Sequence, residues 1–273
     1  MLEGRPILKP SGSVRVQSIT IGAAVNREDV LRENLKASPC VADHRALLLI
    51  ESGHRSASIA YNRLIDRCQT GVLVLAHQDV YLPRGWDVGL VRAIERIESL
   101  GKPWGVLGVI GKSADGTLLG AVWSNGLQSH IGTRSNDMQS AVSIDEMIIV
   151  LNLRAGLRFD EHLPGFHLYG TDIVQECHRT GHDAYVLSLP AVHNSVPVVE
   201  LDPSYVAAYR HMQQKWDSVL PIPTCVLPIT RMGWPLRRYL VRARMRRWLR
   251  GIPVRPVNRS ESGPKLATRV GLE

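Results

Sequence analysis

A polar stretch that follows an apolar run contains the residues best suited to chemistry. Val72–Ala76 are all apolar and rich in branched side chains, and His77, Gln78 and Asp79 come directly after them. Such a run is typical of a strand buried on both faces of a parallel sheet. Open α/β sheets bind ligands at the carboxyl ends of their strands. The sequence therefore predicts a ligand site beside Asp79, the alternative being that this carboxylate only caps a turn or a helix.

Three units of strand, loop and helix are predicted around this stretch. Their strands and helices are expected, in chain order, at 14–21, 27–37, 46–50, 56–67 and 72–76. The first strand should end at Gly22, and Asn26 is the predicted N-cap of the first helix. This order is typical of a Rossmann-like α/β fold, a mostly parallel sheet flanked by helices.

The later elements are predicted from the same patterns. Further strands and helices are expected at 86–100, 104–110, 117–123, 146–153, 171–179, 183–189 and 203–216. Thr171 should cap the helix that reaches Arg179, and 111–141 should be mainly loop and hairpin. Residues 1–216 are expected to form one globular domain, followed by a basic extension over 217–273.

The composition is that of an ordinary globular protein. Of the 273 residues, 44% are apolar and 21% are charged. No apolar segment approaches the ~20 residues that span a bilayer, and no secretory signal is visible. The four cysteines lack metal-site spacing. These features predict a cytoplasmic protein.

The net charge of +8 belongs to the extension. Ten arginines and no acidic residue fall between 218 and 260, so the rest of the chain is close to neutral. The extension is interpreted as a solvated arm, a contact to an anionic membrane surface, or a contact to an acidic or lipid-linked acceptor. Nucleic acid is not expected, because the body offers no basic groove that would continue the patch.

A helix is predicted over the basic stretch, but its apolar residues occupy two opposite sides. One side has Leu236, Leu240 and Ala243, and the other has Val241, Met245 and Trp248. This division weakens the interpretation as an amphipathic membrane helix. Residues 260–273 are expected to be disordered.

Six stretches, taken in order, match a known family. They are ITIGAAVN, IESGHRSASIAYNRLIDRC, VLVLAHQDVYLPRGW, VSIDEMIIVLNLRAGLRFDE, GFHLYGTDIVQECHRTGHDAYV and AVHNS. Together they resemble family 2 glycosyltransferases with a GT-A fold, in particular a short bacterial glycosyltransferase-like branch with an HQDV motif. The resemblance covers residues 18–195 and implies that residues 1–216 form the catalytic domain.

The resemblance implies a metal site. Asp79 matches the last Asp of the family's DxD motif, His77 replaces the first, and His193 resembles a late His that serves some members as a second metal ligand. The implied cofactor is a divalent cation, Mn²⁺ or Mg²⁺, which neutralises the diphosphate leaving group. The alternative for His193 is a histidine without a metal.

The resemblance also implies catalytic residues. Asp172 would be the base that deprotonates the acceptor, and Asp145 and His167 are weaker candidates on the acceptor side. The alternative for Asp172 is a carboxylate that only stabilises the start of a helix.

The implied nucleotide-sugar site is larger. Its residues are Gly22, Ala23, Glu51, Asn62, His77, Gln78 and Asp79. The alternative for Glu51 and Asn62 is that they only satisfy backbone groups.

The implied function is transfer, with inversion, of a sugar from a nucleotide diphosphate sugar to a glycan or lipid-linked acceptor. The family builds bacterial surface polysaccharides and glycoconjugates, which suggests a cytoplasmic protein, peripheral on the inner face of the membrane. One alternative is an inactive module that binds nucleotide sugars or glycans. Another is a nucleotidyltransferase, which would need a basic, glycine-rich phosphate loop that residues 22–26 do not supply.

Overall fold

Apolar strands alternate with amphipathic helices along the chain, as the sequence predicted. The structure is a computed structural model that describes residues 19–135, 137–197, 200–250 and 261–273. Helices flank two sheets, so the predicted α/β class is confirmed.

The strands form two sheets. They are β1 (Ile19–Val25), β2 (Ala46–Ser52), β3 (Val72–Ala76), β4 (Val80–Tyr81), β5 (Trp104–Gly108), β6 (Ile110–Lys112), β7 (Leu118–Ser124), β8 (Ser129–Gly132), β9 (Gln139–Ser140), β10 (Ser143–Ile144), β11 (Ile148–Asn152), β12 (Asp183–Val186) and β13 (Val192–His193). The region 111–141 is therefore more ordered than predicted.

The helices pack on the sheets or extend the chain beyond them. They are α1 (Glu28–Glu33), α2 (Pro39–Ala42), α3 (Ala57–Arg67), α4 (Trp86–Ser99), α5 (Tyr169–Arg179), α6 (Pro203–Lys215), α7 (Trp234–Arg250) and α8 (Gly263–Arg269), with short 3₁₀ turns at Leu35–Ala37, Leu153–Ala155 and Asp217–Val219. Among the described residues, none of these helices combines the length and the apolar character needed to cross a membrane.

The larger sheet is mostly parallel, as predicted, with five of its seven strands running in the same direction and β11 and β9 running the other way. Its strand order is β2-β1-β3-β11-β5-β12-β9. Strands β1, β2 and β3 are parallel, but β11 runs antiparallel to both β3 and β5. Because β11 begins where β3 ends, the backbone N–H of His77 donates to the carbonyl of Met147 at 3.0 Å. The start of β11 therefore lies beside the polar end of β3.

The smaller sheet joins two distant segments. Its order is β10-β6-β7-β13-β4, with β8 paired to β7. Strand β13 runs antiparallel to β4, with His193 opposite Val80. This register brings residue 193 next to the segment that follows β3.

The core fills both faces of the larger sheet. Side chains of β3 alternate between two apolar clusters, with Leu73 and Leu75 in one and Val72, Val74 and Ala76 in the other. A strand buried on both faces needs an apolar residue at every position, which is why the run was recognisable in the sequence.

The starts of two helices differ from the predictions. Asn26 does not cap α1, because β1 continues past Gly22 to Val25 and the N-cap position falls on Arg27, without a side-chain hydrogen bond. Residues 14–18 of the predicted first strand lie outside the described residues. Helix α5 begins at Tyr169, so its N-cap is Leu168 and not Thr171.

The prediction of disorder for 260–273 was wrong over the described part, where α8 forms. Leu266 and Ala267 are fully buried and pack against Tyr81 of β4 and Val192 of β13. Two apolar residues in a short polar segment give no usable periodicity, so tertiary packing forms this helix. The division of the chain at residue 216 stays a prediction, and Ile222, Ile229 and Leu236 beyond it belong to a core cluster of the body.

We expect Leu266→Asp to detach α8, because a carboxylate cannot be buried against Tyr81 and Val192 without a large cost. The measurement is limited trypsin digestion, followed as cleavage after Arg269. Each ~1.4 kcal/mol of lost docking free energy should raise that cleavage rate about tenfold. Val226→Asp is the matched control, since Val226 is already 49% exposed. Equal protection of Arg269 in Leu266→Asp and in the wild type would contradict the docking of α8.

Candidate functional site

A cleft lies at the carboxyl ends of β1, β2 and β3. Its volume is about 470 Å³, within the range of small-molecule sites. Its lining residues are Ala24, Val25, Asn26, Glu51, Ser52, Gly53, His54, Ala60, Tyr61, His77, Gln78, Asp79, Phe166 and Tyr169. Parallel strands expose their carboxyl ends at one sheet edge, and the cleft lies at that edge.

Three potential metal ligands meet at one end of the cleft. His77, Asp79 and His193 each offer a ligand atom, and these atoms all lie within 4.8 Å of one another. His193 Nε2 is 3.4 Å from Asp79 Oδ1, and the two imidazole rings are 5.9 Å apart. The backbone N–H of Asn194 donates to the carbonyl of Asp79 at 2.8 Å, which fixes the two segments together. The structure thus brings together residues that are more than a hundred positions apart in the sequence.

Tyr169 orients the His77 ring. Its hydroxyl lies 2.7 Å from His77 Nε2 and donates to the Glu146 carbonyl at 3.3 Å. A hydroxyl that donates to that carbonyl can accept from Nε2–H, and in this tautomer His77 has its lone pair on Nδ1. Burial lowers the pKa of His77, so the ring is neutral near pH 7. A neutral imidazole held by a hydrogen bond at its other nitrogen is the usual state of a metal-binding histidine.

The donor set fits a transition-metal cation. Two imidazoles and one carboxylate suit Mn²⁺ better than Mg²⁺, which prefers oxygen ligands and retains several waters. The residues of this cluster are therefore compatible with a divalent cation of the Mn²⁺ kind.

Gln78 joins the loop after β1 to the end of β3. Its Oε1 accepts from the backbone N–H groups of Asn26 at 3.1 Å and Arg27 at 3.0 Å. Its Nε2 donates to Asn26 Oδ1 at 2.6 Å. Asn26, predicted to cap α1, instead completes this bridge, which fixes the floor of the cleft.

Glu51 forms part of the cleft wall and remains anionic. Its oxygens contact His54 Nε2 at 2.7 Å and Arg67 Nη1 at 2.5 Å. Burial favours the neutral acid, but the hydrogen bonds from His54 and Arg67 outweigh it and lower the pKa of Glu51. The wall therefore presents a charged group that is already held in place.

Gly22 and Ala23 do not line this cleft. A Cβ at Gly22 would lie 2.9 Å from Leu64 Cδ1, so this glycine makes room for α3 against the sheet. Ala23 is fully buried in the opposite core cluster. Since β1 runs to Val25, residues 24–26 reach the cleft instead.

Asn62 is also absent from the cleft lining. It exchanges two hydrogen bonds of 2.9 Å with the backbone of Phe159 and donates to Glu161 Oε1 at 3.0 Å. Its amide braces the loop that leads toward α5.

Asp172 lies outside the residues that line the cleft and is held in an ion pair. Its side chain is 1% exposed, and its oxygens accept from Trp216 Nε1 at 2.7 Å and Lys215 Nζ at 2.9 Å. Lys215 also contacts Asp160 Oδ2 at 3.0 Å. Because α5 begins at Tyr169, position 172 faces α6. These contacts give Asp172 a structural role. Its role as catalytic base stays a prediction.

Asp145 and Glu146 lie between β10 and β11, near the polar end of β3. Asp145 Oδ1 accepts from the backbone N–H of Met147 at 3.1 Å. Glu146 Oε1 accepts from the backbone N–H of Leu168 at 2.7 Å. Burial, aided by the charge of Asp145, raises the pKa of Glu146 to about 8. Glu146 therefore holds its proton near neutral pH and can exchange it there. His167, the other acceptor-side candidate, pairs with Asp202 at 3.1 Å.

The start of α5 is strained at the same place. Leu168 has φ 63° and ψ 4°, a left-handed backbone conformation that residues other than glycine rarely adopt. The side chain of Glu146 accepts a hydrogen bond from the backbone N–H of Leu168. This bond links the titratable group to the residue whose backbone is strained. Strain of this kind clusters at functional sites.

Among the cleft residues that the sequence analysis missed are His54, Phe166 and Tyr169. Phe166 is 45% exposed at the cleft and follows Pro164 and Gly165, a residue pair typical of turns. That turn signal pointed to a loop, but nothing in the sequence pointed to an aromatic side chain at the cleft. His54 and Tyr169 carry no sequence signal, because only the fold brings them to Glu51 and His77.

We expect Glu146→Gln to stabilise the protein increasingly as pH rises. Folding raises the pKa of Glu146 from 4.5 to about 8, so its stabilising contribution is present below pH 4.5 and is lost as pH rises toward 8. Across that window the difference in unfolding free energy should grow by about 1.4 kcal/mol per pH unit. The measurement is urea unfolding in EDTA at several pH values, with exposed Glu95→Gln as the control. Parallel pH profiles for wild type and Glu146→Gln would contradict the assigned shift.

Comparison with known proteins finds distant relatives. No protein family model matches the chain. A Fuscovulum blasticum protein described as "ATP synthase subunits region ORF 6" is 25% identical over 171 residues, which cover 59% of this chain and 66% of that protein.

Solved structures of glycosyltransferases resemble the chain. The mannosyltransferase PcManGT from Pyrobaculum calidifontis, in complex with GDP-Man and Mn²⁺, is 11% identical with a TM-score of 0.44, covering 76% of this chain and 66% of its own. GalNAc-T7 with UDP, GalNAc and Mn²⁺ is 10% identical with a TM-score of 0.47, covering 77% and 52%. S. aureus TarS 1-349 with UDP-GlcNAc is 11% identical with a TM-score of 0.46, covering 72% and 65%.

This chain spans about two thirds or less of each of these proteins. At these identities the likeness concerns the arrangement of strands and helices and not the chemistry. The three solved structures described above are GT-A-type glycosyltransferases.

Proposed function

We propose that this chain is a metal-dependent glycosyltransferase that takes a nucleotide diphosphate sugar as its donor. The observation that carries the proposal is the grouping of His77, Asp79 and His193 at one end of a cleft of about 470 Å³. The cleft lies at the ends of three parallel strands, the place where nucleotides bind in open α/β sheets.

The three ligands would serve the leaving group. A divalent cation held there would neutralise the charge that develops on the diphosphate. The chain's own contribution is to hold the ligands: Tyr169 fixes the His77 ring, and the pairing of β13 with β4 holds His193 beside Asp79. The imidazole-rich set supports Mn²⁺ over Mg²⁺ as the cofactor.

The nucleoside would occupy the part of the cleft lined by residues 24–26 and 51–54. Glu51 is anionic and restrained by two partners, so it suits hydrogen bonding to hydroxyl or N–H groups of a ligand. The Gln78 bridge keeps the backbone of Asn26 in place. Phe166 offers an aromatic face on which a base or a sugar can stack.

Glu146 fits the role of catalytic base better than Asp172. A base works best when its pKa lies near the working pH. The pKa of Glu146 is raised to about 8, so the ionised fraction that can accept a proton is small at pH 7 and grows as pH rises toward 8. Its carboxylate sits at the start of α5, the helix whose first residue, Tyr169, lines the cleft. Asp172 is enclosed by Lys215 and Trp216, and Asp145 is the next candidate after Glu146. A single displacement assisted by such a base would invert the anomeric centre.

The acceptor and the pathway rest on the sequence resemblance alone. We propose a glycan or lipid-linked acceptor, and a cytoplasmic step in the synthesis of bacterial surface polysaccharide or another glycoconjugate. One observation favours a second candidate function. Because the predicted base Asp172 is enclosed in an ion pair, the chain is also compatible with a module that binds nucleotide sugars without transferring them.

We expect Asp79→Ala, His193→Ala and His77→Ala each to weaken Mn²⁺-dependent binding of nucleoside diphosphates by at least about tenfold, because each removes one ligand from the shared cluster. The measurement is calorimetric titration with a panel of nucleoside diphosphates and their sugars, with Mn²⁺ or with EDTA. Asp43→Ala and His162→Ala, at exposed positions, are matched controls for the loss of a carboxylate and an imidazole. Unchanged Mn²⁺ dependence in all three cluster variants would rule out the metal site.

We expect Glu146→Gln to lower single-turnover transfer by about 10²–10⁴-fold with donor binding nearly intact, because the amide cannot accept the acceptor's proton. Asp172→Asn should leave transfer per folded molecule almost unchanged. It should instead lower stability by up to about 3–5 kcal/mol, the cost of breaking a buried ion pair.

The reverse pattern, with transfer lost in Asp172→Asn and kept in Glu146→Gln, would restore Asp172 as the base. Donor binding by the wild type without transfer to any of a panel of glycan and lipid-linked acceptors would support the binding module.

A further inference from the structure

Helix α7 is attached to the body along one side only. Leu236 and Ala243, seven positions apart, are each 5% exposed, and Leu236 joins a core cluster of the body. On the same side, the Tyr239 hydroxyl accepts from the backbone N–H of Leu201 at 2.7 Å and Arg247 pairs with Glu200 at 2.6 Å. These contacts define which face of the helix is covered.

The opposite side of α7 is an exposed apolar stripe. Trp234, Val241, Met245 and Trp248 are 63%, 59%, 57% and 84% exposed. At 3.6 residues per turn their spacing places all four within roughly 60° of the helix circumference, opposite Leu236 and Ala243. The two apolar sides seen in the sequence are therefore two separate surfaces, of which one packs on the body and the other faces outward.

Arginines border the stripe along both edges. By the same helical geometry, Arg237 and Arg244 flank it on one side and Arg238 and Arg242 on the other, and all four are exposed. Helix α7 contains no acidic residue. The outward face thus combines large apolar side chains with positive charge that no acidic residue of the helix offsets.

We propose that this outward face of α7 docks flat on an anionic phospholipid membrane. Apolar side chains enter the boundary between headgroups and acyl chains, where tryptophan is favoured, and the flanking arginines pair with lipid phosphates. A helix of this kind lies in the plane of the interface, which agrees with its attachment to the body along its opposite side. The proposal does not depend on the sugar chemistry of the cleft.

The chemistry of the stripe argues against two other partners. Val241 and Met245 cannot stack on bases or bond to phosphates, so a nucleic acid would use the arginines and the two tryptophans and leave these two side chains uncovered. A second copy of the chain would bring arginine-rich edges together across a two-fold axis, which costs repulsion. An anionic membrane satisfies both the apolar and the charged parts of the face.

The experiment is co-sedimentation of the full chain with phosphatidylcholine vesicles that contain or lack phosphatidylglycerol. We expect binding only to the anionic vesicles, weakened by salt. A stripe variant, Val241→Ser with Met245→Ser and Trp248→Ser, should bind at least about tenfold more weakly. So should a charge variant, Arg238→Gln with Arg242→Gln and Arg244→Gln.

Matched controls remove the same groups from the body. Leu47→Ser with Leu100→Ser and Leu127→Ser removes three exposed apolar side chains, and Arg32→Gln with Arg63→Gln and Arg92→Gln removes three exposed arginines. Both controls should bind anionic vesicles like the wild type. Circular dichroism and thermal unfolding establish that every variant is folded.

A second measurement, quenching of tryptophan fluorescence, needs only a single substitution. Lipids carrying a nitroxide on the acyl chain should quench tryptophan fluorescence of the wild type, and Trp248→Phe should lose much of that quenching.

Three results would overturn the proposal. The first is equal vesicle binding by the wild type and the stripe variant, with no quenching by nitroxide lipids. The second is loss of binding in the charge variant alone, which would indicate a site for polyanions such as RNA. The third is a dimer of the wild type, without vesicles, that the stripe variant dissociates.

Discussion

The antiparallel pairing of β13 with β4 is the contact on which the candidate site depends. It places His193 opposite Val80, one residue beyond Asp79. The fully buried side chain of Asn194 stabilises this contact. It accepts a hydrogen bond from Asn125 Nδ2 and donates to Asn34 Oδ1 and to the carbonyl of Glu261, and each of these bonds is 2.8 Å long. One satisfied amide thus ties four distant segments together, and buried networks of this kind specify a unique arrangement.

The segment that precedes α8 takes part in the same arrangement. Glu261 bonds to Asn194, while Leu266 packs against Tyr81 of β4 and Val192 of β13, the two short strands whose pairing holds His193 next to Asp79. Two-residue strands have too few ladder hydrogen bonds to hold a register alone. Helix α8 therefore stabilises the geometry of His193 and Asp79 by packing on the strands that bring them together.

Much of this could be predicted from the sequence, but only where the pattern is local. The continuous apolar run of β3 gave its bounds, because a doubly covered strand needs no polar residue, and Asp79 followed as a strand-end carboxylate. Asp172 shows the limit of such patterns. The direction of its side chain depends on where α5 begins, and that is set by the left-handed Leu168 and its bond to Glu146, a contact between distant segments. Gly22 was likewise assigned to a ligand, whereas it accommodates Leu64 of α3.

The same difference between local and distant contacts explains α7. Its sequence showed two apolar sides and so lacked a single amphipathic face, while the structure shows that each side has its own environment. Two apolar sides are a weak signal for a helix with one apolar face. They are the expected pattern for a helix with two apolar surfaces, one packed on the body and one facing outward.

In the proposed site, strands from two sheets bring together the ligands of one cation at the cleft. Anomalous diffraction at the manganese edge, from crystals grown with Mn²⁺ and a nucleoside diphosphate, tests it most directly. We expect a single strong peak among His77, Asp79 and His193, with the diphosphate beside it in the cleft. A nucleoside diphosphate bound in the cleft with no anomalous peak at these three residues, or a peak elsewhere, would contradict it.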